Sequence, residues 1–203
     1  MNTVLQSYLP LSMSYEDYMA LTEDLVARNT STGAATPELA GFTKINLQRM
    51  RRVEKTLDLQ PALMDFIAGM QGRYTWLLIT EPWCGDAAQI LPILAGIARA
   101  SEGRIEFRAI LRDEHPDLMD RYLTNGTRSI PMMVCIDRER IEEVGVWGPR
   151  PQAAIDLVRD AKQRGIPKDD FVKDLQQWYN QDKGQTIQQE IRELLVRAEL
   201  LPA

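Results

Sequence analysis

The chain has 203 residues, of which 44% are hydrophobic and 26% are charged, and its formal net charge is −5. This length suits one domain with an elaboration, and the acidic balance argues against nonspecific binding to nucleic acid or to a membrane surface. With two cysteines, no secretory signal and no apolar run long enough to span a membrane, the sequence leads us to expect a cytoplasmic protein.

The sequence of the N-terminal part carries patterns that predict helices. Residues 1–13 carry no regular pattern, but Ser14 is a suitable N-cap for a first helix, and Thr36-Pro37 is a suitable start for a long second one. Gln60-Pro61 begins a third helix, which Gly72 ends. The expected buried side of the long helix consists of Leu39, Phe42, Met50, Val53 and Leu57.

The same long helix is basic. Its cationic residues are Lys44, Arg49, Arg51, Arg52 and Lys55. Such a run usually forms a solvated face, and the alternative is an anion-binding role.

A buried strand, a turn and a helix are predicted next. Trp76 to Thr80 is a short apolar run typical of a buried parallel strand, and Pro82 ends it. The apolar face of the following helix consists of Ile90, Leu91, Ile93, Leu94 and Ile97.

Cys84 lies where this helix begins. Backbone N–H groups and the helix dipole at that position stabilise a thiolate, which is the nucleophilic form of cysteine. Cys84 is therefore a candidate reactive thiol, and the alternative is a small buried hydrophobic residue.

Three further strands follow. Residues 105–111 predict a second parallel strand, Pro131 to Ile136 a third strand, and Ile141 to Trp147 a fourth strand that pairs with the third as a hairpin. Residues 117–123 predict a short helix, and we interpret His115, the single histidine, as a loop residue. No zinc-ligand spacing is present, so we expect no metal site and no cofactor.

Two apolar stripes mark the C-terminal part, and we expect them to be packing surfaces rather than cofactor contacts. They consist of Phe171, Leu175 and Trp178, and of Ile187, Ile191, Leu194 and Leu195. The N- and C-terminal helices should pack together and onto the sheet.

Cys135 lies four residues beyond Pro131 along a strand, roughly 13 Å away. It is therefore too far for a disulfide with Cys84 and should fill the core.

The sequence resembles the thioredoxin family. The resemblance rests on Trp83-Cys84-Gly85 followed by Pro92, on Leu111–Pro116, on Arg128–Met132 and on Val146–Pro149, which occur in the family's order. More closely, the chain resembles bacterial thioredoxin-family proteins with a Trp-Cys-Gly-Asp-Ala-Ala-Gln turn.

This resemblance implies an α/β, thioredoxin-like fold. We expect about four strands in a mixed sheet with helices on both faces, and helical extensions at both ends. Residues 1–73 would form the N-terminal extension, 74–163 the core and 164–203 the C-terminal extension, all packed as one compact unit.

The resemblance also implies the site. Cys84 would supply the sulfur in the turn formed with Trp83, Gly85 and Asp86. Ile130 and Pro131, whose peptide bond would be cis, would align an extended substrate.

A loop with Trp147 and Arg150 would flank the pocket. Arg150 would lower the pKa of the thiol if it reached the sulfur, and it would otherwise be an exposed loop residue, while Asp86 would raise that pKa.

This sequence also departs from the family pattern. Ala87 stands where the family has its second cysteine, Asp86 replaces the intervening proline, and Leu78 replaces a buried acidic residue. Exchange between two cysteines of this turn is therefore not available.

Three hypotheses follow. The first is a monothiol oxidoreductase in which Cys84, with a low pKa and an exposed sulfur, attacks a disulfide, a sulfenic acid or a peroxide, and an external thiol resolves the adduct. Its partner would be a protein or low-molecular-weight thiol or disulfide. The second is a redox-inactive binding or scaffold domain. The third is a thiol redox sensor with long-lived adducts. The sequence does not indicate an oligomeric state.

Overall fold

The computed structural model describes residues 3–201 and begins with four helices. Helices α1 to α4 span Thr3–Tyr8, Tyr15–Ala27, Pro37–Thr56 and Pro61–Gly69. As predicted, Ser14 and Thr36 are the N-caps of α2 and α3, and their side chains accept hydrogen bonds from the backbone N–H groups of Asp17 and Leu39. No helix in residues 3–201 is both long and apolar enough to cross a membrane.

The remaining elements form the sheet and its covering helices. Strands β1 to β4 span Tyr74–Thr80, Ile105–Leu111, Met132–Asp137 and Glu142–Trp147. Helices α5 to α9 span Ala87–Ala100, Pro116–Met119, Gln152–Gln163, Lys168–Asp182 and Gln185–Glu199.

The four strands form one mixed sheet in the order β2-β1-β3-β4. Strand β1 is parallel to β2 and antiparallel to β3, and β4 pairs antiparallel with β3. Every residue of β1 is buried, which agrees with its continuous apolar sequence. The thioredoxin-like α/β fold expected from the sequence is therefore confirmed.

Helix α5 lies at the centre of the molecule. Its residues from Ala87 to Ala98 are all buried, because the sheet covers one side and α3 packs against another. A helix that is apolar on all sides requires this kind of enclosure.

The terminal helices pack together and onto the sheet, as predicted. Helix α9 contacts both α4 and β4. The buried Gln188 side chain accepts a hydrogen bond from the Gln60 backbone N–H at 2.8 Å and donates one to the Asp58 carbonyl oxygen at 3.0 Å. These bonds tie the C-terminal helix to the segment between α3 and α4.

Two expectations for the N-terminal part were wrong. Residues 3–8 form a helix followed by a 3-10 turn, Leu9–Leu11, although their sequence shows no periodicity. Tertiary contacts hold this segment, since Leu5 is buried and the Arg108 side chain donates to the Ser12 hydroxyl at 2.9 Å. Residues 1 and 2 of the expected irregular segment lie outside the described residues.

The second error is the face of α3. Of the expected residues, Met50 is buried and Val53 and Leu57 pack against the core, but Phe42 is 45% exposed. The rest of the buried side consists of Ala40, Thr43, Asn46 and Leu47. Polar residues are tolerated there because they find partners: Asn46 donates to the Pro82 carbonyl oxygen at 3.0 Å.

Two shorter corrections concern later helices. The helix expected over residues 117–123 spans only Pro116–Met119. In α8, the third buried position is Tyr179, whereas the neighbouring Trp178 is only partly buried.

Candidate functional site

The candidate site lies where β1 ends and α5 begins. Residues 81–86 connect these elements in a tight turn, in which the Cys84 N–H donates to the Glu81 carbonyl oxygen at 3.0 Å. The Cys84 carbonyl oxygen in turn accepts from the Ala88 N–H at 3.2 Å. Cys84 therefore lies just before the first turn of α5.

The Cys84 sulfur faces three backbone groups. Its thiol lies 3.4 Å from the Ile130 carbonyl oxygen and is oriented to donate to it. On the other side, the backbone N–H groups of Asp86 and Ala87 point at the sulfur and lower the pKa of the thiol. The Ile130–Pro131 peptide bond is cis.

The loop after β4 completes this arrangement. Gly148 has φ = 126°, and a Cβ at this position would lie 2.5 Å from the Pro131 carbonyl oxygen. Only a residue without a side chain allows this approach. The turn around Cys84, the Ile130–Pro131 segment and the loop at residues 148–150 thus meet in the structure.

Asp86 connects the turn to two other parts of the chain. Its carboxylate accepts a hydrogen bond from Arg150 Nη2 at 2.6 Å and another from the Tyr179 hydroxyl at 2.9 Å. Arg150 belongs to the loop before α7, and Tyr179 belongs to α8. Three segments far apart in sequence are therefore joined at one buried carboxylate.

The environment of Cys84 favours the protonated thiol. Its side chain is 8% exposed. Burial is the main cause that raises the pKa of Cys84 to about 12, and the charge of Asp86 adds to this effect. The N–H groups of residues 86 and 87 and the Arg150 guanidinium oppose it but do not offset it. The expectation of an exposed sulfur with a low pKa was therefore wrong, because Arg150 pairs with Asp86 and the sulfur is covered.

The two tryptophans of the expected site lie on its flanks. Trp83 is half-buried beneath the Arg112 guanidinium, whose carbon lies 4.8 Å from the ring centre. The Trp147 indole N–H donates to Glu190 Oε2 at 2.7 Å. Helix α9 thereby fixes the orientation of the Trp147 ring.

Glu81 is a buried carboxylate that the sequence analysis did not single out. It accepts a hydrogen bond from the Asp113 N–H at 2.8 Å and another from the Thr32 hydroxyl. Burial raises the pKa of Glu81. Its contacts join the Cys84 turn to the end of β2 and to the loop before α3, so its role is to position the turn.

Helices α3 and α8 add two more residues beside the turn, Arg49 and Gln176. Arg49 was recognised in the sequence only as part of a basic helix, and Gln176 gave no signal. Tyr179 was also missed, because the sequence pattern assigned its neighbour Trp178 to the apolar stripe of this helix. Their position beside Cys84 depends on how the terminal helices pack.

Cys135 lies in the middle of the sheet. It is opposite Trp76 on β1, whereas Cys84 lies beyond Thr80, the last residue of that strand. At about 3.3 Å per residue, the segment from Trp76 to Thr80 alone covers roughly 13 Å. The structure therefore agrees with the prediction that Cys135 fills the core, and both cysteines are free. Within residues 3–201, no cluster of three or more histidine, cysteine or acidic side chains is arranged to hold a metal ion.

Comparisons with known proteins agree with this fold. A family model described as thioredoxin matches residues 34–162. Thioredoxin from Thiocapsa roseopersicina is 31% identical over 84 residues, which are 41% of this chain and 75% of that protein. Thioredoxin 1 from Nostoc sp. is 32% identical over 74 residues, which are 36% of this chain. The chain spans about half (54%) of the length of this Nostoc relative.

A solved structure is similar over nearly the full length. It is the crystal structure of a protein of unknown function from Pseudomonas aeruginosa, with a TM-score of 0.58 and 22% sequence identity. The similarity covers 92% of this chain and 98% of that one. The helices at both ends of the core therefore occur together with the sheet in another protein.

Proposed function

Because this chain belongs to the thioredoxin family, we propose that it carries out thiol–disulfide exchange through Cys84 as a monothiol oxidoreductase. The observation that carries the proposal is the position of the sulfur, 3.4 Å from the Ile130 carbonyl oxygen and beside Pro131. A substrate disulfide aligned along this segment would lie next to the sulfur once the cover over the thiol is displaced. The N–H groups of Asp86 and Ala87 would stabilise the thiolate as it forms.

The reaction has two balanced steps. The Cys84 thiolate attacks one sulfur of a substrate disulfide, a bond between Cys84 and that sulfur forms, and the other sulfur leaves as a thiolate. An external thiolate then attacks the substrate sulfur of this adduct, forms a new disulfide with it and releases the Cys84 thiolate. The external thiol is oxidised and the substrate disulfide is reduced.

An external thiol is needed because no second cysteine is in reach. Ala87 occupies the position where the family has a resolving cysteine, and Cys135 is held in the sheet opposite Trp76. A disulfide requires Cα atoms within about 7 Å, which the register of β1 and β3 does not allow for Cys84 and Cys135.

The Cys84 thiol is buried in the resting protein, and the proposal includes displacement of the side chains that cover it. Tyr179 is buried and bonded to Asp86. Because this cover rests on side-chain contacts from α8, a substrate can displace it without unfolding the sheet. Displacement would expose the sulfur to water and remove the burial that raises its pKa.

The test is adduct formation with a small neutral disulfide, 2-hydroxyethyl disulfide, followed by peptide mass spectrometry. We expect one adduct at Cys84, which an added thiol removes, and no adduct at Cys135. Absence of the Cys84 adduct from the folded protein would contradict the proposal.

A second candidate function is a redox-inactive binding domain. The burial of Cys84 and its raised pKa favour this candidate, since both oppose nucleophilic attack. In that case the Cys84→Ser variant would bind every partner that the wild-type protein binds, and 2-hydroxyethyl disulfide would leave Cys84 of the wild-type protein unmodified.

A further inference from the structure

Hydrogen-bond donors from two helices meet beside Gly85, the residue that follows Cys84. A Cβ at this glycine would lie 3.4 Å from Arg49 Nη1 and 3.7 Å from Gln176 Nε2. Arg49 belongs to α3 and Gln176 to α8, and both side chains are half-buried. Both donors therefore lie within contact distance of the turn at Gly85.

Neighbouring amides hold both donors in place. Arg49 Nη1 donates to Asn46 Oδ1 at 3.0 Å, and the Gln176 carbonyl oxygen accepts from Gln89 Nε2 at 2.8 Å. Within residues 3–201, Arg49 has no carboxylate at ion-pair distance and Gln176 Nε2 has no acceptor. A guanidinium and an amide N–H therefore point to the same place with hydrogen-bonding capacity to spare.

A second uncompensated cation lies one turn further along α3. Arg52 is about 4.5 Å from Arg49 along the helix axis, and it donates to the side-chain carbonyl oxygens of Gln89, at 3.0 Å, and of Asn180. Both partners are neutral. Arg52 lines a cleft of about 250 Å³ between α3, α5 and the turn from α8 to α9, and the other charged residue of its lining is Lys183.

The nearest acidic group does not cancel these charges. The charges that act most on Arg49 are those of Arg52 and Asp86, and Asp86 is already paired with Arg150. The surroundings of Gly85 therefore favour an anion, although the whole chain carries a net charge of −5.

We propose that the donors beside Gly85, together with the cleft lined by Arg52 and Gln89, bind the carboxylate groups of a small thiol compound and so select the external thiol that resolves the Cys84 adduct. A guanidinium and an amide match the geometry of a carboxylate, and a second cation one turn away suits a second carboxylate. A cleft of this size between three helices admits a small molecule rather than the surface of a folded protein. The role in resolution rests on the proposed exchange function, because only a mixed disulfide at Cys84 requires such a thiol.

The bound compound acts in one balanced step. Its thiolate attacks the substrate sulfur of the Cys84 adduct, a disulfide between the compound and the substrate group forms, and Cys84 leaves as a thiolate. The sulfur of the compound is oxidised and the Cys84 sulfur is reduced.

The first test measures binding without reaction. S-methylglutathione carries two carboxylates and no thiol, so calorimetry on the full-length protein reports the site whether or not Cys84 reacts. We expect saturable binding that weakens about tenfold in Arg49→Gln. The matched control is Arg51→Gln, because Arg51 is exposed on the same helix and pairs with Glu23 at 2.8 Å. Absence of saturable binding, or equal affinities of the two variants, would overturn the inference.

The second test separates the site from the exchange function. The adduct of Cys84 with 2-mercaptoethanol is prepared, and its release by glutathione is compared with its release by 2-mercaptoethanol, both corrected for thiolate content. We expect glutathione to be about tenfold faster with the wild-type protein and to lose this advantage in Arg49→Gln. Equal rates with the wild-type protein would overturn the inference and leave the exchange function standing. If the adduct of Cys84 with 2-mercaptoethanol never forms, both the exchange function and the resolving role are overturned. The binding of S-methylglutathione would still show whether the carboxylate-binding site exists.

Discussion

The two cysteines lie in regions that bury a thiol in different ways. Cys135 is in the middle of β3, opposite Trp76, on a strand that lies between β1 and β4, and its side chain is fully buried in the core. Cys84 lies beyond the end of β1, in a turn that side-chain bonds at Asp86 join to α8 and to the loop before α7. Burial is the main cause that raises the pKa of each thiol to about 12.

The difference is in what must move to expose the sulfur. The Cys135 side chain projects from one face of the sheet into the hydrophobic core, so its exposure requires the core to come apart from that face. We expect Cys84 to become exposed when Tyr179 and Arg150 leave Asp86, which breaks two side-chain hydrogen bonds. Local opening of side chains and helix ends costs less than opening of a central strand. The same pKa in the closed structure is therefore compatible with different reactivities.

The largest expected effect is the loss of the mixed disulfide when the Cys84 sulfur is removed. Cys84→Ser should abolish the mixed disulfide with 2-hydroxyethyl disulfide, whereas Cys135→Ser should leave it intact. Cys135→Ser should instead reduce the free energy of unfolding by about 1–3 kcal/mol, because it places a hydroxyl in the sheet core. Mass spectrometry and urea unfolding measure the two effects, and loss of the adduct in Cys135→Ser would break the comparison.

The cover over Cys84 should have the next largest effect. Tyr179→Ala opens the side of Asp86 that faces α8, and we expect the rate of Cys84 alkylation to rise about tenfold while Cys135 stays unreactive. Tyr74→Ala is the matched control, because Tyr74 is also buried and bonded to a carboxylate, at 2.7 Å from Glu199, but lies at the opposite end of β1. Equal acceleration of Cys84 alkylation in both variants would show general loosening instead of a specific cover.

The pH dependence of alkylation follows from the raised pKa. Since the folded protein holds the Cys84 proton up to a pKa of about 12, the thiolate fraction should still rise about tenfold per pH unit above about pH 9, where a free thiol approaches its plateau. The alkylation rate of Cys84 measured between about pH 7 and pH 10 should therefore show no plateau. A plateau near the free-thiol value of about 8.5 would mean that the sulfur is open to water in solution.

The same shift affects stability. Folding raises the pKa of both thiols. At pH values between the unfolded-state pKa and the folded-state pKa of each thiol, the folded protein therefore binds more protons than the unfolded protein. The stabilisation is complete below the ordinary thiol pKa of 9.0 and is lost as the pH rises towards about 12. The melting temperature should fall with pH in this window, and less steeply in Cys135→Ala than in the wild-type protein.

The smallest effect should come from the neighbouring carboxylates. Asp86 raises the pKa of Cys84, and Asp137 raises that of Cys135, in each case by less than burial does. Asp86→Asn should accelerate Cys84 alkylation about threefold, since it removes the negative charge and leaves Arg150 next to the sulfur. Asp137→Asn should leave Cys135 unreactive, because the sulfur stays buried in the core. Slower alkylation in Asp86→Asn would contradict this account of the charge.

The fold was largely accessible from the sequence. The apolar run at β1, the helix with Pro92 and the hairpin at residues 132–147 show strong patterns, and their order carries the resemblance to the thioredoxin family. The face of α3 was not accessible, because Thr43 and Asn46 replace apolar residues on the buried side. Their side chains are satisfied by Ser31 and by the Pro82 carbonyl oxygen, and such contacts exist only in the folded chain.

The candidate site was accessible only in part. The sequence identified the three segments that meet at Cys84, and their roles in catalysis and substrate binding stay predictions. It gave no means to rank the opposing effects of Arg150 and Asp86 on the thiol, because the result depends on burial and on the pairing of those two residues with each other. Tyr179, Arg49 and Gln176 come from helices whose packing against the turn leaves no local signal.

The most direct measurement is the comparison of the two cysteines in one sample of the folded wild-type protein. The protein is incubated with 2-hydroxyethyl disulfide, and the adduct at each cysteine is quantified by peptide mass spectrometry over time. We expect the adduct to accumulate at Cys84, to disappear when thiol is added, and to stay absent from Cys135. No adduct at either cysteine, or equal modification of both, would contradict the claim that Cys84 is a covered but working thiol.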